Sequence, residues 1–156
     1  MKFEHLIEIN DPRNPLIPLM TRAELWRGLM FRAEDATHFL PGLDACIILE
    51  RGDDRLRRRL DFGQAAIEDT VTWRHEEWMR FAVARTDAHA GGTLTITVEE
   101  PAEKHLFLRF AYETTLGETP GDEDAAYAEY VKSAYRESDI ETVRVIRSLL
   151  AGNTRH

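Results

Sequence analysis

The chain has 156 residues, of which 43% are hydrophobic and 31% are charged, and its formal net charge at pH 7 is −8. A chain of this size and composition can bury its own hydrophobic core, and it contains no long linker or repeat, so we predict a single domain over residues 1–156. The negative charge argues against nucleic acid as a partner, because affinity for nucleic acid depends on a basic surface that neutralises phosphates.

The first element in chain order is a strand predicted over residues 3–9. Charged Lys2 and Glu4 lie where a signal peptide needs an apolar stretch, and the sequence has no run of about 18 apolar residues that could span a bilayer. We therefore expect a cytoplasmic protein without stable membrane insertion. The only cysteine, Cys46, excludes an internal disulfide, and its apolar neighbours favour a buried structural thiol over a nucleophile.

A short helix is predicted after a proline-rich connection. Thr21 and Glu24 match the capping box, and apolar residues then recur at helical spacing as far as Met30. Arg32 and the acidic residues after it are interpreted as the charged end of this helix. A shorter helical turn is predicted over residues 36–40, ending before a Pro-Gly pair.

A series of short strands is predicted between residues 43 and 116. Turns rich in glycine or proline separate most of them, and each link is short enough for an antiparallel hairpin, so the strands should form a meander. Five arginines between residues 51 and 59 would alternate between the faces of a strand, and most are expected on a solvated face. The candidate strands cover residues 43–51, 54–62, 65–76, 78–86, 93–100 and 104–116.

The last third of the chain predicts one long helix. Acidic residues 122–124 lead into it, arginines lie near its end, and a glycine follows at position 152, an order that the helix dipole and a left-handed cap favour. Roughly 27 residues, ending near Leu150, would span about 40 Å. Ser138 and Glu141 resemble a second capping box, so a kink or break near Ser138 is the alternative to a continuous straight helix.

This order of elements resembles the START-like, helix-grip superfamily, and more narrowly its AtaL-like branch. Two segments carry the resemblance: residues 60–71, with Leu-Asp-Phe-Gly followed by Ile-Glu-Asp-Thr-Val, and the helical segment 134–147. The resemblance implies an α+β fold in which a curved antiparallel sheet wraps around the long C-terminal helix, with a cavity between them. Related families use such cavities to bind lipids, hormones and polyketides or to assist cyclisation and hydrolysis, and the resemblance implies no particular reaction or catalytic residue.

The turn at Gly63-Gln64 predicts the register of one hairpin. A two-residue turn there pairs Leu60 with Ile67, Leu56 with Val71 and Arg58 with Asp69. Because the four aliphatic residues should be buried, the Arg58–Asp69 pair on the same face can mark a ligand site. Two alternatives are open: a one-residue slip would expose Arg58, or the pair serves only to fix the register.

Eight residues are candidates for lining the cavity. The face that holds Arg58 continues along the next strand through Trp73 and His75, while the last strand and the terminal helix supply aromatic side chains to the same space. An ordinary core position is the alternative for Trp73, Phe110 and Tyr112 individually, since aromatic residues dominate cores. The candidate set is Arg58, Asp69, Val71, Trp73, His75, Phe110, Tyr112 and Tyr135.

The remaining polar residues give weaker signals. Asp139 can cap, pair with an arginine one turn away or present its carboxylate to the cavity, and local pairing is the preferred interpretation. No second histidine completes a His-Glu-x-x-His spacing after His75, so no metal site is predicted. His89 is interpreted as an exposed loop residue. Phosphate loops, nucleophile elbows and dinucleotide fingerprints are absent from the sequence, and no cofactor is predicted.

The preferred functional hypothesis is binding of a small, largely apolar molecule whose polar or anionic group lies near Arg58. The alternative is a cavity enzyme, such as a cyclase, dehydratase or hydrolase acting on a related polyketide-like or lipid-like compound, with His75 as general base or Arg58 polarising a carbonyl. A third hypothesis is an interaction protein with a filled core, whose tyrosines and acidic surface meet a partner. Turnover of a ligand would distinguish the cavity enzyme from the binding protein. A ligand-sized void would distinguish both of them from the interaction protein with a filled core.

Overall fold

The computed structural model describes residues 1–84, 86, 91–114 and 125–153. The predicted exposure of His89 and the predicted acidic start of the terminal helix at residues 122–124 lie outside this described part. None of the described helices is long and apolar enough to cross a membrane. The elements, in chain order, are β1 (Lys2–Asn10), α1 (Arg22–Glu34), a 3-10 turn (Ala36–His38), β2 (Ala45–Arg51), β3 (Arg55–Asp61), β4 (Ala66–Arg74), β5 (Trp78–Val83), β6 (Gly92–Ala102), β7 (His105–Thr114) and α2 (Ala125–Asn153).

Seven strands form one curved antiparallel sheet with the order β1-β7-β6-β5-β4-β3-β2. Strands β2 to β7 are the predicted meander, and β1 adds to its edge by pairing with β7. Helix α2 lies on the inner face, where it contacts β1 and α1. The predicted α+β, helix-grip architecture is confirmed.

The β3–β4 hairpin has the register predicted from its Gly63-Gln64 turn. Arg58 lies opposite Asp69, and Leu60 lies opposite Ile67. Gly63 has a φ of +89°, a left-handed conformation that costs glycine little because it has no Cβ. Arg58 faces inward and is 1% exposed, so the alternative of a one-residue slip is excluded.

The other arginines of β3 lie on the outer face of the sheet, whereas Arg51 of β2 pairs with Glu34 of α1 at 3.0 Å. Arg55 and Arg59 are exposed, and Arg57 forms ion pairs of 3.3 Å with Glu50 and 2.5 Å with Glu68. The interpretation of most of the arginine run as a solvated strand face is therefore confirmed. Cys46 is half-buried against a small apolar cluster that includes Leu60, so it is less buried than predicted.

Helix α1 begins at the predicted capping box. The backbone N–H of Glu24 donates to Thr21 Oγ1 at 3.0 Å, and the backbone N–H of Thr21 donates to Glu24 Oε1 at 2.9 Å. These bonds satisfy two N–H groups that lack partners inside the helix. The helix start is thus fixed by local sequence.

Helix α2 continues past the second candidate capping box without a break. Ser138 lies inside the helix, where its carbonyl accepts a hydrogen bond of 3.0 Å from Thr142 Oγ1. The helix also extends to Asn153, beyond the predicted end near Leu150 and through the predicted glycine cap at position 152. The alternative of a break at Ser138 is therefore wrong.

The two helices touch closely at Gly28. A Cβ atom placed there would lie 2.5 Å from Ile146 Cγ2, so only glycine permits this separation. At the same end of α2, the Arg147 guanidinium donates to the Ile9 carbonyl of β1. The C-terminal half of α2 is thereby held against both α1 and the edge strand.

The inner face of the sheet has two ends that differ in burial. Six side chains beneath α1 and the C-terminal half of α2 are at most 5% exposed, and we call them the closed end: Met79, Ile96, Val98, Leu106, Leu108 and Phe110. Towards the other end the inward apolar side chains of β4, β5 and β6 are only half-buried, and we call them the open end: Ile67, Val83 and Leu94. The open end borders the closed end at a row of cross-strand partners, in which Phe81 lies beside Leu94 and Leu94 beside Tyr112.

Candidate functional site

Arg58 and Asp69 form a fully buried ion pair on the inner face. Arg58 Nε donates to Asp69 Oδ1 at 2.8 Å and Nη2 donates to Oδ2 at 2.6 Å, the bidentate geometry that strengthens such pairs. The third nitrogen, Nη1, donates to the carbonyls of Arg32 and Ala33 at 3.3 and 3.0 Å. Because these carbonyls lie in the last turn of α1, Arg58 also compensates the negative end of that helix.

Arg32 is a second inward arginine, and its surroundings differ. It is 6% exposed, its guanidinium lies 4.6 Å from the centre of the Phe81 ring, and Nε donates to Thr142 Oγ1 at 3.4 Å. Burial lowers the pKa of Arg32 to about 10, and the nearby positive charge of Arg58 acts in the same direction. At neutral pH it is still charged, and no described carboxylate lies within ion-pair distance of it.

Asp139 connects α2 to the sheet through two hydrogen-bond partners. It is 1% exposed, accepts a hydrogen bond from the Tyr112 hydroxyl, and lies 3.3 Å from His5 Nδ1. Burial raises the pKa of Asp139 to about 6, although the hydrogen bonds to Tyr112 and His5 oppose this shift. Burial and the neighbouring Asp139 also raise the pKa of Tyr112, so this phenol is a neutral donor at physiological pH. The prediction that Asp139 pairs locally is wrong.

Three aromatic rings form a stack beside this cluster. The rings of Tyr112 and Tyr135 are parallel within 2° at a centroid distance of 4.0 Å, and Phe3 lies 6.3 Å from Tyr135. Tyr135 and Phe3 are half-buried, whereas Tyr112 is 8% exposed. We call these three residues the aromatic stack. It joins α2 to β7 and, through Tyr112, lies beside Leu94 of the open end.

The structure places seven of the eight candidate residues on the inner face of the sheet or packed against its core. Arg58 and Asp69 lie beside the open end, next to Val83, which is the cross-strand partner of Asp69. Tyr112 and Tyr135 belong to the aromatic stack. Val71 and Phe110 are 0% exposed and pack within the core cluster.

Trp73 and His75 lie at the end of β4, next to α1. Trp73 is the cross-strand partner of buried Met79 and packs against the core cluster. Both residues line a surface groove of about 540 Å³ between α1 and the turn that joins β2 to β3. β4 ends at Arg74, so His75 lies in a turn, with its side chain 76% exposed, 2.9 Å from Glu76 and in edge contact with the Trp26 ring. The prediction that the inner face continues through His75 is therefore wrong, because the strand ends one residue earlier.

The sequence analysis did not identify Arg32 or His5 as site residues. Arg32 was interpreted as part of the charged helix end, although it follows Leu25 by seven positions and Leu29 by three, which is the spacing of one buried helix face. That spacing was the available signal. His5 carried no comparable signal, since its position depends on how α2 lies over β1.

One cluster in the described part of the chain has metal-ligand chemistry. The ligand atoms of Glu8, Asp11 and His105 lie within 4.8 Å of one another, and His105 Nε2 is 2.7 Å from Glu8 Oε2. The Asp11 carboxylate already accepts bonds of 3.1 and 3.2 Å from the Arg13 guanidinium, which lowers the Asp11 pKa. These charges compensate one another without an ion.

Comparison with protein families gives one match that covers most of the chain. The family described as acetylaranotin biosynthesis cluster protein L, AtaL, matches residues 7–152. A search of curated proteins gives no match. The matched range includes all of α1, the sheet from β2 to β7, and α2 as far as residue 152.

Solved structures share the fold at low sequence identity. ZhuI aromatase/cyclase from Streptomyces sp. R1128 is 13% identical with a TM-score of 0.63, over 99% of this chain and 96% of that one. A START superfamily protein from Mycobacterium smegmatis is 14% identical with a TM-score of 0.57, over 97% of both chains. The di-domain ARO/CYC StfQ from the steffimycin biosynthetic pathway is 11% identical with a TM-score of 0.67, and the matched region covers 98% of this chain but only 51% of StfQ. At these identities the likeness shows the START-like helix-grip fold alone.

Proposed function

The chain belongs to the AtaL family, and from this membership and the geometry of the inner face we propose that it binds a small, largely apolar molecule between the open end and α2. The observation that carries the proposal is the partial burial of inward apolar side chains. Ile67, Val83 and Leu94 face the interior of the fold, where a filled core would cover them as completely as it covers Ile96. Apolar surface that faces inward without being covered is a binding surface for an apolar ligand.

The aromatic stack supports the same proposal. Half-buried Phe3 and Tyr135 lie against the ring of Tyr112, which is the cross-strand partner of Leu94. Aromatic rings offer large apolar contact areas at a low cost in side-chain entropy. The aromatase/cyclase names of ZhuI and StfQ are consistent with an apolar, polyketide-like or lipid-like ligand.

A second candidate function is catalysis on such a compound. The observation that favours it is the group formed by Asp139 and Tyr112, in which a buried carboxyl with a raised pKa lies beside the proposed cavity. A carboxyl that titrates near pH 6 suits general acid–base chemistry. Turnover of an identified ligand would favour this candidate, and release of the ligand unchanged would favour binding alone.

The binding proposal can be tested by filling the open end. Leu94→Trp would place an indole in the proposed cavity, and Thr95→Trp would place the same group on the outer face of the same strand. N-phenyl-1-naphthylamine, a neutral apolar fluorophore, is the probe. We expect Leu94→Trp to weaken its binding at least tenfold and Thr95→Trp to change it less than twofold.

Equal effects of the two substitutions would overturn the proposal, because the probe would then bind elsewhere. Native mass spectrometry of gently purified protein gives a second reading. An apolar compound that copurifies with the wild type and is lost from Leu94→Trp but not from Thr95→Trp would support binding at the open end. A compound retained by Leu94→Trp would contradict it.

A further inference from the structure

Arg32 projects from the last turn of α1 into the middle of the inner face. Its guanidinium lies over the Phe81 ring, and Phe81 is the cross-strand partner of Leu94. Thr142 of α2 contacts it from the other side at 3.4 Å. Arg32 is therefore positioned between the two helices and the sheet, where the closed end meets the open end.

The hydrogen-bonding capacity of Arg32 is largely unused. A guanidinium carries five N–H donors, four of them on its two terminal nitrogens. Within the described residues, Nε alone has a hydrogen bond, and that bond is long at 3.4 Å. Arg58, at a similar depth, uses all three of its nitrogens in bonds of 2.6 to 3.3 Å. The terminal nitrogens of Arg32 are thus free to bind a group from outside the protein.

The two inward arginines also differ in how their charges are compensated. Their guanidinium groups lie 4.6 Å (Arg32) and 5.2 Å (Arg58) from the Phe81 ring centre, and Asp69 forms an ion pair with Arg58. Asp69 and Asp139 favour the charged form of Arg32 only from beyond ion-pair distance, and Asp139 is bonded to Tyr112 and His5. Burial of a charge without a direct partner costs free energy, and among the described residues Arg32 is buried in this way.

We infer that Arg32 binds an acidic group of the ligand, so that the ligands of this protein are amphipathic anions with a carboxylate or an equivalent oxyanion on an apolar body. The two free nitrogens form the planar fork that accepts both oxygens of a carboxylate. The apolar body then lies over Leu94 and Val83, against the aromatic stack. This inference rests on the proposed function, because it assigns the polar end of a ligand that occupies the open end.

Two fluorophores with the same scaffold test this inference. 1-Anilinonaphthalene-8-sulfonate carries one anionic group that N-phenyl-1-naphthylamine lacks. We expect Arg32→Met to raise the Kd of the sulfonate at least tenfold and that of the neutral probe less than twofold. Arg59→Met, which removes an exposed arginine from the outer face of β3, should change neither.

Two results would overturn the inference. Unchanged sulfonate affinity in Arg32→Met would show that Arg32 does not recognise the anion, and an equal loss of both probes would show that Arg32 only maintains the cavity. The proposed function fails separately, if the wild type does not bind the neutral probe. In that case Arg32-dependent binding of the sulfonate would still support the anion site.

The stability of Arg32→Met is a second readout. A purely structural role for Arg32 predicts a loss of stability, whereas a binding role predicts no loss. Since the charge is buried without a carboxylate partner, we expect the urea midpoint of Arg32→Met to equal or exceed that of the wild type. A lowered midpoint would overturn the inference. Arg32→Lys keeps the charge but loses the planar fork, and should weaken sulfonate binding by less than Arg32→Met does.

Discussion

The two ends of the inner face are built from the same strands but have different properties. At the closed end, Ile96 and Phe110 are 0% exposed and are covered by both helices. At the open end, Leu94 lies only two residues from Ile96 on the same face of β6 and is half-buried. Tight packing and the proposed ligand contact are therefore separated along each strand rather than between strands.

The boundary between the two ends is occupied by two arginines with opposite roles. Arg58 is satisfied by Asp69 and by the last carbonyls of α1, so it stabilises the arrangement of helix and hairpin. Arg32 lies next to it with unused donors. A protein that retains such a group gives up some stability for function, as is common at binding sites.

The largest expected effect comes from removing the guanidinium of Arg58, which forms the ion pair with Asp69. Arg58→Met would leave the Asp69 carboxylate buried without a partner and the end of α1 without its donor, and should reduce the free energy of unfolding by about 3–5 kcal/mol. Urea denaturation measures this. The double variant Arg58→Met with Asp69→Leu should recover most of the loss, because an apolar pair needs no compensation. A loss below about 1 kcal/mol in the single variant would contradict the assigned role.

The next prediction compares the stability cost of truncating one side chain at each end of the inner face, Ile96 and Leu94, both on β6. Ile96→Ala should cost about 2–5 kcal/mol, since it leaves a cavity in a fully packed region. Leu94→Ala should cost only about 1 kcal/mol, because its side chain is already partly exposed. Urea denaturation of both variants gives the two values. Similar costs would remove the distinction between the closed and open ends.

The pH dependence of stability tests the buried carboxyl at the edge of the open end. The pKa of Asp139 is about 6 in the folded protein, above its ordinary value of 3.8, so the folded state binds this proton more tightly than the unfolded state. Asp139 therefore makes stability fall as the pH rises from about 4 to 6, by about 2–3 kcal/mol in total. Asp139→Asn should lack this component. Parallel curves for the two proteins between pH 4 and 7 would disprove the assignment.

The smallest effect concerns the close contact between Gly28 of α1 and Ile146 of α2. Gly28→Ala would force a methyl group against Ile146 and should reduce the free energy of unfolding by about 1–3 kcal/mol. Gly52→Ala is the matched control, because the nearest atoms to a Cβ there are 3.8 Å away. Thermal unfolding of both variants measures the two losses of stability. A stabilised Gly28→Ala would mean that the helices can separate without loss of packing.

The features that could be predicted from the sequence are those fixed by residues close together in the chain. The β3–β4 register followed from a two-residue turn and the alternation of faces, and the start of α1 followed from the capping box at Thr21. The partners of Arg32 and Asp139 could not be predicted in this way, because they belong to elements that are distant in sequence. His75 was misplaced because the strand predicted over residues 65–76 ends at Arg74, two residues earlier.

The close approach of Gly28 and Ile146 has a mechanical consequence. Helix α2 is held there and at Arg147, and again at Asp139, which bonds to Tyr112 and His5. Tyr135 lies eleven residues before Ile146, which is about 17 Å along a helix, so a tilt of about 10° about the Gly28 contact would move the Tyr135 backbone by about 3 Å. A side chain as small as hydrogen thus sets the point about which α2 would tilt, and the bonds of Asp139 oppose that tilt.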